Sequence, residues 1–425
     1  MSITRPFRRG RTTIGLGLTL AIGGLAVAAT ARALTVGFGA VHAADSDRGL
    51  VRQNETPSPG NAGIDSISEE RRSGPRPLGV PMVDSDPIGD AMRMGLDYLA
   101  EQQTVMRDGS VPAAQGTYHA PIGVTALAAL AWMSGGSTPT RGPHSGALVR
   151  SLEYLLGHQV PVGEERAGWI GAPEDQQSKS HGHGLATLAL SQAFSLSPRS
   201  PLGQRIQAAL EASVERIKVS QGIEGGWYYE AQRSPEHEGS VTVCHVQALR
   251  GARNAGIHVD PNIIANAIAY VRRLQTDEGG FQYSFTQPET SVALTGACLS
   301  TMHAAGIYED KDVERAYDWI WRELAAREDD DQRGVFGSQA QFPFYERFYL
   351  SQALWHNPDE EVFRRWSRPL VRQLLVTQSR DGSWSDVRYD SLGTKHEGRY
   401  GSCYATAMNV LFLSVPEGTL PIFRR

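Results

Sequence analysis

From about residue 88 to 415 the hydrophobic pattern alternates between two kinds of segment. The first is amphipathic at helical spacing. From Ile263 to Leu274, apolar residues recur at i, i+3, i+4 and i+7 with charge on the opposite side, which predicts a helix with one buried face. The second is small and apolar on most sides, as from Gly123 to Leu130 and from Gly184 to Leu190. A helix of that kind is buried all round. Each pair is joined through a glycine turn, usually with an aromatic: Asp108-Gly109-Ser110, Gly168-Trp169, Gly225-Gly226-Trp227, Gly279-Gly280-Phe281, Gly334-Val335-Phe336 and Asp381-Gly382-Ser383-Trp384. A glutamine often ends the first helix, at Gln102, Gln159, Gln221, Gln275 and Gln378.

A unit copied six times at a spacing near 55 residues is a repeat architecture. An open array needs polar end repeats. Here the first and last inner segments, Ala128 to Trp132 and Ala407 to Leu413, are as apolar as the rest. The expectation is an all-α, closed (α/α)6 barrel, with second helices inside and first helices outside. Its mouth is set by the N-terminal ends of the inner helices. Trp169, Trp227 and Trp384 belong to the turns and are read as structural.

Before the repeats, Arg5, Arg8, Arg9 and Arg11 precede an apolar run from Ile14 to Ala29, and Val41-His42-Ala43 offers a small-residue cleavage site. Residues 1–43 read as an export signal, with an uncleaved membrane anchor as the alternative. Both place the globular part outside the cytoplasm. Residues 44–87 are rich in Pro, Gly, Ser and charge and read as a disordered linker. The toroid takes 88–415, and 416–425 is a C-terminal tail. The net charge of −5 comes without a basic stripe, which argues against a nucleic-acid partner. Cys244, Cys298 and Cys403 lie in three different repeats and read as core residues.

The stretch from Gln378 to Trp384 resembles the QW-type repeat of squalene and terpenoid cyclases; Gln221 to Trp227 and Gln275 to Phe281 are looser versions. The same toroid is used by protein prenyltransferase β subunits and complement-like thioester domains. The resemblance spans about 88–415 and implies the fold. The chemistry of those families does not carry over. The DxDD acid of squalene-hopene-type cyclases is missing; the nearest acidic run, Glu328-Asp329-Asp330-Asp331, reads as a solvated loop. Where prenyltransferases place zinc ligands, this chain has Ser240, Thr242 and Gly401. Cys-Gly-Glu-Gln and DDxxD stretches are absent as well.

The inner-helix starts still carry candidate chemistry. Glu238, Glu289 and Glu397 align as a carboxylate ring, which helix dipoles alone would favour. His183, Cys244, Tyr349 and Cys403 align one level deeper. His181, His183 and Cys244, with His245 as a further option, are weak candidates for a metal. Tyr345, Arg347, Tyr349, Arg399 and Tyr400 are candidates for an aromatic and cationic rim able to hold an anionic head group or a carbocation, with Arg347 pairing Glu346 or Glu397 as the structural alternative. No cofactor motif is present.

Three functions follow: an apolar ligand, isoprenoid or lipid, in the central cavity, with or without catalysis; a non-catalytic toroid binding a protein partner; or a carbohydrate-active barrel using Glu238 and Glu397 as acid and base. Membrane association would run through the N-terminal segment.

Overall fold

The computed structural model describes residues 86–113, 119–175, 178–332, 342–386, 388–389, 395–396 and 401–424. The expected signal and nearly all of the linker lie outside them, as do Glu397, Arg399, Tyr400 and the fifth glycine turn. Twelve α-helices are formed among the described residues. The outer ones are α1 (Pro87–Met106), α3 (Ser145–Gly157), α5 (Pro201–Ser220), α7 (Pro261–Arg273), α9 (Lys311–Gln332) and α11 (Glu360–Thr377). The inner ones are α2 (Pro121–Ser134), α4 (Lys179–Leu196), α6 (Gly239–Asn254), α8 (Val292–Ala304), α10 (Pro343–Trp355) and α12 (Gly401–Ser414). A short antiparallel pairing, Arg388–Tyr389 with Lys395–His396, lies in the last connection.

Local chemistry sets these boundaries. Three outer helices begin with a capping side chain and a proline: Asp86-Pro87, Ser200-Pro201 and Asp260-Pro261. The cap oxygen accepts an N–H of the first turn, and the proline occupies a position whose N–H has no helical partner. In α7 only Ile263, Ile264, Ala267, Ile268, Tyr270 and Val271 are buried. In α2 and α8 every residue is buried. Each inner helix packs on the next from α2 round to α12, and α12 packs on α2, so the ring closes.

The glycine turns stitch the ring from outside. In five repeats the glycine has a positive φ: Gly109, Gly168, Gly225, Gly279 and Gly382. A Cβ there would lie 2.1–2.4 Å from a backbone carbonyl oxygen of the next outer helix, which excludes any side chain. The glutamine amide bridges the same two parts. Gln221 Nε2 donates to Gly225 O at 2.8 Å and to Ile263 O at 2.9 Å; Gln378 Nε2 donates to Gly382 O at 2.9 Å and to Ala91 O, in α1, at 2.8 Å. The second of these bonds joins the last repeat to the first.

Three details differ from the expected register. Gln103, not Gln102, fills the glutamine position in repeat one, donating to Gly109 O at 2.9 Å and Ala147 O at 3.0 Å. One residue turns a helix by about 100°, and Gln103 is on the buried side. Counting the repeat on Gly226 and Gly280 is one residue late in repeats three and four: Gly225 and Gly279 have the positive φ, and Gly226 and Gly280 lie against the rings of Tyr270 and Trp319. The acidic run from Glu328 belongs to the end of α9 rather than to a loop. Residues 415–424 fold back over the C-terminal ends of the inner helices as two 3-10 turns with Leu420, Ile422 and Phe423 buried.

Candidate functional site

Two residues beyond each of the five positive-φ turn glycines, a backbone N–H points at the first turns of the inner helix. In four repeats a threonine hydroxyl accepts it: Val111 N to Thr125 Oγ1 at 2.9 Å, Trp227 N to Thr242 at 3.1 Å, Phe281 N to Thr295 at 3.0 Å and Trp384 N to Thr406 at 3.0 Å. In repeat two the acceptor is His183 Nδ1, which takes the N–H of Ile170 at 3.1 Å. Ile170 is therefore the structural counterpart of Trp227 and Trp384. Trp169 instead stacks on the His183 ring at 4.7 Å between centroids.

This removes His183 and His245 from the mouth. Both are buried. A ring nitrogen that accepts an N–H carries no proton, so His183 is the Nε2–H tautomer. His245 Nδ1 lies 3.1 Å from Val241 O and must donate, leaving its Nε2 a bare acceptor. Trp227 stacks on His245 at 5.3 Å, and the two imidazoles are 6.0 Å apart. Burial drives both below the usual imidazole range, His245 to about 3.

The expected carboxylate ring is a different set of residues. Glu289 is exposed, and Ser291 is the cap of α8. Aligning the repeats glutamate to glutamate placed the cap of α8 two residues too early. Glu238 is wholly buried and caps α6, accepting Val241 N–H at 2.7 Å. Asp175, which the sequence reading passed over, accepts Ile122 N–H at 3.3 Å and Ser178 N–H at 2.8 Å and ties the starts of α2 and α4. Asp386 accepts Gly401 N–H at 3.0 Å at the start of α12. Buried carboxylates at helix N-termini complement the helix dipole.

Arg347 does not pair with Glu346, and its other predicted partner, Glu397, lies outside the described residues. Its guanidinium bonds Asn409 Oδ1 in α12 and lies 5.9 and 5.8 Å from the rings of Phe344 and Phe412. Burial pulls it down to about 10. Glu346 is held by Arg327 at 2.8 Å, with burial raising the carboxyl and the Arg327 charge opposing it. Cys244 Sγ is 3.6 Å from His181 O, and burial pushes the thiol up to about 12. Among the described residues no three His, Cys, Asp or Glu side chains come together at a metal-binding spacing, and His181, His183 and Cys244 do not converge.

What remains at the mouth is a set of partly exposed side chains on the inner-helix starts: His181 and Leu185 of α4, Ser240 of α6, Phe344 and Tyr345 of α10, and Tyr404 of α12. Phe344 and Tyr404 meet edge to face at 5.7 Å, and Tyr345 lies 4.5 Å from the buried Tyr349. The Tyr345 hydroxyl is buried without a partner among the described residues. Burial, then the neighbouring Tyr349, Glu238, Cys298 and Cys244, hold it well above the usual phenol range. On the α6 side, Ser240 Oγ donates to Glu238 at 2.7 Å and meets His181 Nε2 at 3.0 Å. Tyr229 and Tyr283 join hydroxyl to hydroxyl at 2.6 Å beside them. Sequence reasoning missed Ser240, Tyr229 and Tyr283 as site residues. A serine two places after a glutamate at a helix start was the available signal.

No family model matches the chain, and no curated protein matches it. Among solved structures it is similar to a type II terpene cyclase from Scytonema in complex with geranylgeranyl dihydroxybenzoate, at 18% identity and a TM-score of 0.50 over 79% of this chain and 98% of that one. It is also similar to a D-mannose isomerase, at 13% identity and a TM-score of 0.55 over 79% and 99% of the two chains. At these identities the likeness is one of fold. The chain has the α/α toroid architecture that terpene cyclases also use.

Proposed function

We propose that this toroid binds an apolar molecule with one polar end, of isoprenoid or lipid type, at the inner-helix N-termini. One observation carries the reading: partly exposed aromatic, aliphatic and hydroxyl side chains, Phe344, Tyr345, Tyr404, Leu185 and Ser240, gather at the inner-helix starts, where the carboxylates Glu238, Asp175 and Asp386 are buried against helix N–H groups and Lys179 and Arg347 are each engaged by a partner. Aromatic and aliphatic surface takes the apolar body, and a few convergent polar groups fix the head. The bound substrate named for the Scytonema cyclase has this make-up, which is consistent with the proposal. A glycosidase reading has less support, because Glu238, one of its two carboxylates, is wholly buried and engaged as the cap of α6. We also propose that residues 1–43 direct export or anchor the chain; the intact mass of the secreted or membrane-bound protein tests cleavage after Ala43.

Native mass spectrometry of the full chain, followed by solvent extraction, tests the binding reading. The expected result is a co-purifying isoprenoid or lipid, or uptake of added geranylgeraniol that Tyr345→Ala and Phe344→Ala weaken. A protein that carries nothing and takes up no geranylgeraniol overturns it.

A further inference from the structure

His181, Ser240 and Glu238 form a hydrogen-bonded chain whose proton positions follow from their chemistry. Glu238 caps α6, already accepts the Val241 N–H, and is fully buried. An ionised carboxylate only accepts. The Ser240 hydroxyl, 2.7 and 2.9 Å from its two oxygens, therefore donates to it. Ser240 has one proton, so the 3.0 Å contact with His181 Nε2 is made by an N–H of the imidazole donating to Ser240 Oγ. That fixes neutral His181 as the Nε2–H tautomer and leaves its Nδ1 a bare lone pair. No hydrogen bond to that Nδ1 is formed among the described residues. The order of exposure follows the chain: the His181 side chain is 24% exposed and the Glu238 side chain 0%. The accessible end is the imidazole and the buried end is the charge.

We propose that His181 is a general base at the mouth, positioned through Ser240 by Glu238, acting on an O–H or activated C–H of the bound molecule's polar end. In the step, Nδ1 takes the proton. The ligand's bond to hydrogen breaks, its electron pair stays on the ligand, and an Nδ1–H bond forms. The resulting imidazolium lies 4.0 Å from the Glu238 carboxylate, with Ser240 bridging. The reverse step makes His181 an acid. Other groups around the ring are consistent with this. Tyr229 lies tilted at 5.7 Å between centroids, Tyr283 stays a neutral phenol beside Glu238, and Cys244 remains a thiol. Lys179, at the start of α4, is engaged by Glu230 at 2.9 Å, and His245 is neutral. Burial lowers the His181 pKa and Glu238 opposes it, which keeps the free base populated at neutral pH.

The inference rests on the mouth being the ligand site, but its first test needs no ligand. In the full chain with nitrogen-15-labelled histidine, the expected His181 spectrum is that of the Nε2–H tautomer. Its titration should move down by about one pH unit in Glu238→Gln. Ser240→Ala should erase the tautomer bias. Should Glu238→Gln fail to fold, Ser240→Ala decides. An Nδ1–H tautomer in the unaltered protein, or a titration and tautomer indifferent to both changes, overturns the chain. The second test uses 5-nitrobenzisoxazole, an apolar probe whose ring opens to a coloured phenolate once a base removes its C–H proton. The expected rate exceeds that of His181→Ala and His181→Gln by ~100-fold, with a pH profile that follows the His181 titration. Equal rates overturn the base assignment. Loss of geranylgeraniol uptake with an intact tautomer and base rate would instead overturn the binding reading alone.

Discussion

The two ends of the helical ring are built differently. At the far end the inner helices finish under their own chain. Thr419 donates to Ser134 O at the end of α2 (2.8 Å), Trp355 Nε1 donates to Phe423 O at the end of α10 (3.1 Å), and the buried Phe423 side chain fills the space beneath. At the near end the helices start around partly exposed aromatic and polar groups, with buried carboxylates holding their first N–H groups. One end uses its side chains for closure and the other presents them. A six-fold repeat gives each rim six similar positions; departures from the repeat decide which of them become a site.

The largest effect should come from the turn glycines. Gly168→Ala places a Cβ 2.1 Å from Ala212 O and imposes a left-handed conformation on alanine. We expect a loss of ~3 kcal/mol or more in a urea titration, against under ~1 kcal/mol for Gly157→Ala, where the position is open. Phe423→Ala removes the far-end plug and should cost about 3–4 kcal/mol while leaving the His181 titration in place. A shift of that titration would show that the two ends are coupled. Gln378→Ala cuts the tie to α1 and leaves two carbonyls short of a donor, for about 1–3 kcal/mol.

The interior histidines predict a pH dependence. His183, His245 and His303 are all held below their unfolded value by burial, His245 and His303 to about 3. The unfolded chain therefore binds more protons than the folded one once the pH drops below about 6.5. Their contribution is complete above that pH and is lost as it falls toward 3. Urea midpoints at pH 7.5, 6 and 5 should decline in that order, with a slope of up to about 1.4 kcal/mol per pH unit per histidine. His245→Gln should flatten the decline. The smallest stability change belongs to Tyr345→Phe, which deletes a buried hydroxyl that has no partner among the described residues. Folding should change by under ~1 kcal/mol, while geranylgeraniol uptake should weaken if that hydroxyl meets the ligand head.

The repeat was legible because its parts obey local rules. Glycine spacing, the amphipathic pattern of α7 and the uniformly apolar α2 each need only a few consecutive residues to be read. The site was less legible because it depends on register between repeats. Counting from Gly168-Trp169 aligned Trp169 with Trp227, whereas the backbone N–H that seeks an acceptor belongs to Ile170. Matching glutamate with glutamate also grouped Glu289 with Glu238, although the residue at the cap of α8 is a serine, Ser291. His181 and His183, two residues apart on α4, read as one motif. Helical geometry turns them about 200° from each other, one to the mouth and one to the turn.

The sequence by itself determined six helical hairpins and which helix of each is buried, because those follow from periodicity; which glycine of each pair in repeats three and four must stay a glycine was decided by the fold, at Gly225 and Gly279. Tertiary structure alone decided which carboxylates cap the inner helices, that Arg347 turns to Asn409, and that Ser240 joins His181 to Glu238. Those are distances between chain segments tens of residues apart, fixed only when the ring closes and neighbouring helices settle into contact.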